Sequence, residues 1–293
     1  MIQLSKSSIT YTFSKAHLPA IHINSGDTIQ FECLDALNDQ IHSEADSADK
    51  IDLDHVNPAT GPVYVNGALP GDTLVAEILD IQPFHWGCAL IVPGFGFLHD
   101  TIPGPYTKML PIEQNSTIPF TDKISLPVRP MIGTIGVAPR AAISTLSSGT
   151  HGGNLDTRDI GAGSTLYLPV FVAGALFGVG DVHAQMGDGE VCGTGVECSA
   201  YVTIRLSLLK GQRLLRPRLE TLGEIMTIAS ARSLNKAIQT ALRDMIVWLQ
   251  KEHGLSVQEA YVLTSLAGNV RIGQIVDPMV TVRVALPKSI FCS

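Results

Sequence analysis

The strongest constraint on this chain's fold is a two-residue rhythm of apolar side chains, broken by glycine and proline, through its first two hundred residues. Thr73-Leu74-Val75-Ala76-Glu77-Ile78-Leu79 and Val202-Thr203-Ile204-Arg205-Leu206-Ser207-Leu208 both carry it. In the second run Val202, Ile204, Leu206 and Leu208 fall on one face and Thr203, Arg205 and Ser207 on the other, as a half-buried strand requires. Pro-Gly and Ser-Gly-Asp turn signals punctuate the runs. There is also a partial echo. Gly26-Asp27-Thr28-Ile29, followed by Glu32, Leu34 and Asp35, matches Gly71-Asp72-Thr73-Leu74, followed by Glu77, Leu79 and Asp80. A tight turn feeding a strand recurs, which suits a barrel or sandwich of similar hairpins.

The last third changes period. Leu234, Ala237, Ile238, Ala241, Leu242, Met245, Trp248 and Leu249 follow helical spacing, with Ser233 as cap and Gly254 as stop. Ser256 and Glu259 form a capping-box pair opening a second helix toward Gly268. Val270 to Val276 and Met279 to Leu286 then read as strands. The expected architecture is mainly β, a sandwich or barrel-like body over 1–215 carrying the active site, with a C-terminal α+β portion over 216–293.

With 45% hydrophobic and 16% charged residues among 293, the chain should bury a core and not stay disordered. A net charge of -7 and the lack of a basic run argue against nucleic acid as a partner. The five cysteines (Cys33, Cys88, Cys192, Cys198 and Cys292) form no CxxC pair, which fits reduced thiols in the cytoplasm. Met1 to Lys6 has no apolar core of a secretory leader. The uncharged run Ile160 to Gly180 is too rich in glycine for a membrane helix and reads as a strand, a turn and a second strand. No membrane partner is expected.

Polar groups are densest between His151 and Glu197. His151-Gly152-Gly153-Asn154-Leu155-Asp156-Thr157-Arg158-Asp159 opens the segment, and Gly180-Asp181-Val182-His183-Ala184-Gln185-Met186-Gly187-Asp188-Gly189-Glu190 resumes it. Two glycines after His151 let the backbone bend so that His151, Asn154 and Asp156 converge. On a strand, Asp181, His183 and Gln185 project from one face. A hairpin through the apolar run would bring both halves together. Histidines and carboxylates gathered at a strand end are the usual ligands of Zn²⁺ or a similar divalent ion. Plainer readings compete: Asp181 and Asp188 as turn residues after glycine, Asp156 or Asp159 as partners of Arg158, and His183 as a core histidine.

These residues also carry a likeness. His151-Gly-Gly-Asn-Leu-Asp156, the apolar strands, then Gly180-Asp-Val-His183-Ala-Gln185 and Gly187-Asp-Gly-Glu190, closely resemble the core signature of the acetamidase/formamidase family. Asn57-Pro58-Ala59-Thr60-Gly61-Pro62, continuing to Gly67 through Leu74, resembles a second hallmark, and Phe31-Glu32-Cys33-Leu34-Asp35-Ala36 a third. The resemblance spans nearly the whole chain. It implies a fold with jelly-roll-like and barrel-like parts, a homo-oligomer of at least two copies, a divalent metal, and hydrolysis of formamide or acetamide to the acid and ammonia.

On that reading the metal ligands come from His151, Asp156, Asp181 and His183, with Asp35 as an addition. Zn²⁺ is the first choice, with Ca²⁺ or another divalent ion as alternatives. Glu190 is assigned as general base. Asn154 or a glycine-rich backbone amide would steady the oxyanion, and Glu197 is a second candidate for either carboxylate role. Rival machinery is weaker. Cys192 and Cys198 flank Gly193-Thr194-Gly195, but no lysine lies between Lys123 and Lys210 to complete a Cys-Glu-Lys set. Ser147-Ser148-Gly149 lacks the glycine framework of serine amidases, and neither a dinucleotide fingerprint nor a P-loop is present. The competing classes are a non-catalytic small-ligand or metal-binding β protein, and a hydrolase of a larger or cyclic amide.

Overall fold

The computed structural model describes residues 1–113 and 117–291, so Cys292 lies outside the described residues. Strand Ala200–Leu209 shows the alternation its sequence demands: Val202, Ile204 and Leu206 are buried, Tyr201 and Arg205 exposed. It lies in a nine-stranded sheet between Thr28–Cys33 and Thr73–Pro83, antiparallel to both. The Gly-Asp-Thr echo is therefore geometric as well as textual. Both turns feed strands that flank the same neighbour. Gly26 and Gly71 have φ of 99° and 98°, a conformation that favours glycine. Asp27 and Asp72 each accept, at 2.8 Å, the backbone N–H three residues earlier.

The same sheet continues into the last third. Thr165–Pro169 pairs with Arg218–Glu220, which is followed by Glu224–Ala231, Val280–Pro287 and Asn269–Gln274. The boundary expected near residue 215 is thus crossed by one continuous ladder, and the C-terminal strands extend the sheet edge to edge. Helix α1 (Leu234–His253) buries the row Ala237, Ala241, Met245 and Leu249. Its inner face packs with Ala229, Val284 and Leu286. It stops at Gly254, left-handed at φ 66°, whose N–H reaches the Gln250 carbonyl. Ser233 occupies the N-cap, yet its side chain makes no capping bond. Helix α2 (Val257–Ala267) opens on the expected capping box: Ser256 Oγ accepts from the Glu259 N–H at 3.2 Å, and Glu259 Oε2 from the Ser256 N–H at 2.9 Å. Among the described residues, no helix is long and apolar enough to cross a membrane.

The uncharged run is not a hairpin. Its two strands go to different sheets, Thr165–Pro169 to the nine-stranded one and Phe177–His183 to a second, ten-stranded one. Phe177–His183 is buried at every position, so it must be covered on both faces, and folding back on its predecessor would cover neither. It pairs with Met131–Val137, Ala59–Val65 and Glu197–Cys198. Phe31, Ile132, Ile135, Leu166, Phe177, Val202 and Ile204 belong to one apolar core shared by the two sheets.

Candidate active site

The site forms where Phe177–His183 breaks its regular pairing with Met131–Val137. The register runs from Ile132 opposite Val182 to Thr134 opposite Gly180, which puts Asp181 beside Gly133. A Cβ on Gly133 would collide with Asp181 Oδ2 and lie 2.5 Å from Asp156 Oδ1. The glycine leaves room for two carboxylates. His183 follows, and its strand partner is Glu197. His183 Nε2 lies 3.0 Å from Asp181 Oδ1 and 3.1 Å from Glu197 Oε2, while Glu197 Oε1 accepts the Gly195 N–H at 2.9 Å. Glu190 arrives on a loop tied to the last third: the Gly189 N–H reaches the Gly273 carbonyl at 2.8 Å, and the Ile275 N–H reaches the Gly189 carbonyl at 3.1 Å.

Backbone strain gathers at the same place. Asn57, Asp156, Asp181 and Glu190 have φ of 54°, 40°, 54° and 47°. Left-handed backbone at a non-glycine costs about 1–3 kcal/mol and persists where the surroundings impose it. Asn and Asp tolerate it best, so Glu190 is the most constrained of the four.

Asn154 is the hub of the hydrogen bonds. Its Nδ2 donates to Asp156 Oδ2 at 2.7 Å and to Asp277 Oδ2 at 2.9 Å. Its Oδ1 accepts from Asn57 Nδ2 at 2.8 Å and Thr134 Oγ1 at 2.5 Å. Both amide hydrogens are engaged, so in this arrangement Asn154 positions carboxylates and has no donor left for an oxyanion. Burial pushes Asp156 and Glu190 well above the usual carboxylate range, and neighbouring carboxylates add to the shift for both. Burial also lifts Glu197 to about 7 and Asp277 to about 6. Burial opposes charge on His183, but Glu197 and Asp181 outweigh it and hold the imidazole well above its ordinary value.

Acceptors exceed donors here. Asp156 Oδ1 and Asn57 Oδ1 are buried without a hydrogen-bond partner. Two sets of ligand atoms, from Asp156, His183 and Glu190 and from Asp181, His183 and Glu197, each lie within 4.8 Å of one another. An oxygen-rich set with one imidazole and unpaired buried oxygens fits a divalent cation.

The sequence-derived candidates divide. Asp156, Asp181 and His183 meet, and Glu190 and Glu197 join them as ligand-capable groups. His151 is buried with its ring edge-on to Phe13 and Nε2 unpartnered, its pKa lowered to about 4 by burial; it is in neither set. Asp35 is also in neither set, and its Oδ1 accepts the N–H groups of Leu37 and Asp39 at 2.9 and 3.2 Å. Gln185 lies beyond the strand end, so it does not share the Asp181 face as expected. Asp159 pairs not with Arg158 but with the buried Arg283, and Asp188, read as a turn residue, pairs with the same arginine. Cys33, Cys88 and Cys198 are buried, and burial pushes their thiols up; Cys192 is exposed. His55 is exposed and bonded to Asp52 at 2.7 Å. Trp248 packs with His253 and Phe291, whereas Trp86 is 38% exposed beside His42.

Sequence reasoning missed Asn57, Thr134 and Asp277. Asn57 stood inside a singled-out motif with no role assigned. Asp277 sits in a turn of the C-terminal portion, shaped by the buried Gln274, whose Oε1 accepts the N–H groups of Val276 and Asp277 at 3.0 Å. No local signal marks it. Asn57, Asn154, Asp181, Glu190, Glu197 and Asp277 all line a cavity of about 560 Å³. The residues lining this cavity come from both 1–215 and 216–293.

This strand-end cluster has the residues of the motif singled out above, and the family model for acetamidases and formamidases matches residues 16–146 and 140–293. The chain belongs to the acetamidase/formamidase family. It superposes on the crystal structure of an acetamidase from Bacillus halodurans with a TM-score of 0.96 and 43% identity, covering 99% of this chain and 98% of that one. It is 29% identical to a formamidase of Methylophilus methylotrophus, with 64% of this chain and 61% of the relative covered. It is 28% identical to an acetamidase of Mycolicibacterium smegmatis, with 66% and 64% covered. The match thus spans less than two thirds of the length of these two relatives.

Proposed function

We propose that this chain hydrolyses the carbon–nitrogen bond of a primary amide, releasing ammonia and the carboxylic acid. The observation that carries the reading is that Asp181, Glu190 and Glu197 of the His183-centred cluster line one cavity together with Asn57, whose Oδ1 has no partner. Family membership supports it. Amide hydrolysis needs an activated water, charge to meet the oxyanion and a proton for the departing nitrogen. Asp181, His183 and Glu197 would hold a divalent cation, Zn²⁺ being the first choice. Such an ion, when bound, polarises the carbonyl and brings the pKa of water down to about 7.

Glu190 takes the proton of the attacking water and passes it to the leaving nitrogen. Burial lifts its carboxyl well above the usual carboxylate range, so it holds a proton more readily than an exposed glutamate, which suits a group that takes a proton and returns it. Asp156 and Asn154 hold Glu190's surroundings in place. Asn57 Oδ1 accepts from the substrate's amide N–H. The network supports that orientation: with Asn154 Nδ2 donating to Asp156 and Asp277, Asn154 Oδ1 accepts from Asn57 Nδ2, which leaves Asn57 Oδ1 without a partner.

The test is ammonia release from formamide and acetamide before chelation, after it, and after metal add-back. Chelation should abolish turnover and one divalent ion should restore it. Glu190→Gln should lose about 10²-fold or more in kcat while still binding the metal. A metal-replete protein that releases no ammonia from any primary amide would sink the proposal, leaving a binding role. Full turnover by Glu190→Gln would remove Glu190 from it.

A further inference from the structure

We infer that the preferred substrate is the amide of an uncharged, apolar acyl group well beyond acetamide in size, an inference that rests on the amide-hydrolase reading above. Size is the first argument. A cavity of about 560 Å³ falls in the range of roughly 300–1,000 Å³ that houses drug-sized ligands, whereas acetamide carries a single methyl beyond its amide. Acetamide alone would leave most of the space to water against apolar walls.

Those walls are the second argument. Away from the polar cluster the cavity is lined by Leu37, Ile51, Val56, Val92, Phe95 and Val276. Leu37, Ile51 and Val92 pack into a small core with Ile41, Cys88 and Leu90, so this side is backed by structure and does not depend on a free loop. Phe95 is held by a turn in which its N–H reaches the Val92 carbonyl at 3.0 Å, with Gly94 at φ 77°. A Cβ on Gly193 would lie 2.5 Å from the Phe95 ring. The bare glycine of the Glu190 loop is what lets the ring stand there, so the apolar wall and the catalytic loop are built to each other.

Charge is the third. The lining includes Asp181, Glu190, Glu197 and Asp277 but no Lys, Arg or His among the described residues. A carboxylate on the far end of the acyl chain would lose its water against apolar walls and find no cationic side chain to pair with, while an apolar end finds burial.

The test is kcat/KM for ammonia release by the metal-loaded protein across acetamide, butyramide and hexanamide, with succinamic acid as a charged match in heavy-atom count for hexanamide. Each methylene buried should raise kcat/KM about three- to fourfold, on the order of a hundredfold from acetamide to hexanamide. Succinamic acid should fall below acetamide. Phe95→Ala should lower the hexanamide-to-acetamide ratio about tenfold, and Val92→Ala should lower it less. A flat or falling series with acetamide best, or succinamic acid equal to hexanamide, overturns this inference and leaves amide hydrolysis standing. No turnover of any amide in the series overturns both.

Discussion

Gly133 offers the sharpest test of how the site is built. Its φ is not in the left-handed region, so Gly133→Ala imposes no backbone penalty and its effect comes from one methyl group. That methyl would collide with Asp181 Oδ2 and stand 2.5 Å from Asp156 Oδ1. Neither carboxylate is free to swing away. Asp156 is held by Asn154 at 2.7 Å, and Asp181 reaches His183 at 3.0 Å. Overpacking of this kind costs about 1–3 kcal/mol, which for a chain of this size lowers Tm by roughly 2–10 °C. Displacing Asp181 from His183 should also weaken divalent-ion binding about 10- to 100-fold, the effect typical of a disturbed ligand shell. The assay is thermal unfolding with and without chelator, joined to calorimetric titration of Zn²⁺ into the metal-free protein. Gly223→Ala is the control, because a Cβ there meets nothing within 4 Å. If Gly133→Ala binds the ion and melts as the parent does, the two carboxylates are not packed around that glycine as described, and the reasoning fails.

Two further outcomes follow from the buried groups. Glu197 and Asp277 titrate near 7 and 6 in the folded, metal-free protein, so they keep protons that the unfolded chain has already released. Asp156 and Glu190 are shifted the same way. Together these four carboxyls outweigh the buried His151, which is lowered to about 4 and pulls in the opposite sense. The folded state therefore binds more protons between about pH 4 and 7, and stability falls as pH rises through that window. Melts of chelated protein should lose roughly 5–10 °C across it, and a saturating divalent ion should flatten the slope; a chelated protein that gains stability over the same window would refute the assignment. Asn57→Gly keeps the left-handed backbone and removes the amide. It should raise KM for amides about tenfold while hydrolysis of the matching ester changes little, and equal loss on both would argue against recognition of the substrate N–H by Asn57.

Much of the local structure is legible in the sequence because it depends on neighbours along the chain. Ala200–Leu209 alternates as its residues require, and Ser256 and Glu259 close a capping box because they lie three positions apart. Gly254 ends α1 for the same kind of reason. The candidate site was partly legible too. Asp156, Asp181, His183, Glu190 and Glu197 fall within one stretch, and the strands Gly152–Asn154, Phe177–His183 and Glu197–Cys198 lie in one sheet. Asp35 and His151 show the limit: each sits in the right motif, yet one organises a loop and the other packs on Phe13.

The sequence by itself determined that the chain is mainly β with two late helices, and it gathered most of the candidate acids and the candidate histidines between His151 and Glu197. Tertiary structure alone decided which carboxyls meet His183 and which pair with Arg283. It alone brought Asn57 and Asp277 to Asn154, across 97 and 123 residues of chain. The reason is that a period of two tells which face of a strand is buried but not which strand lies beside it. Register, the break opposite Gly133 and the turn held by Gln274 are settled only when the sheets assemble, and with them the cavity that joins an apolar wall to a set of buried acids.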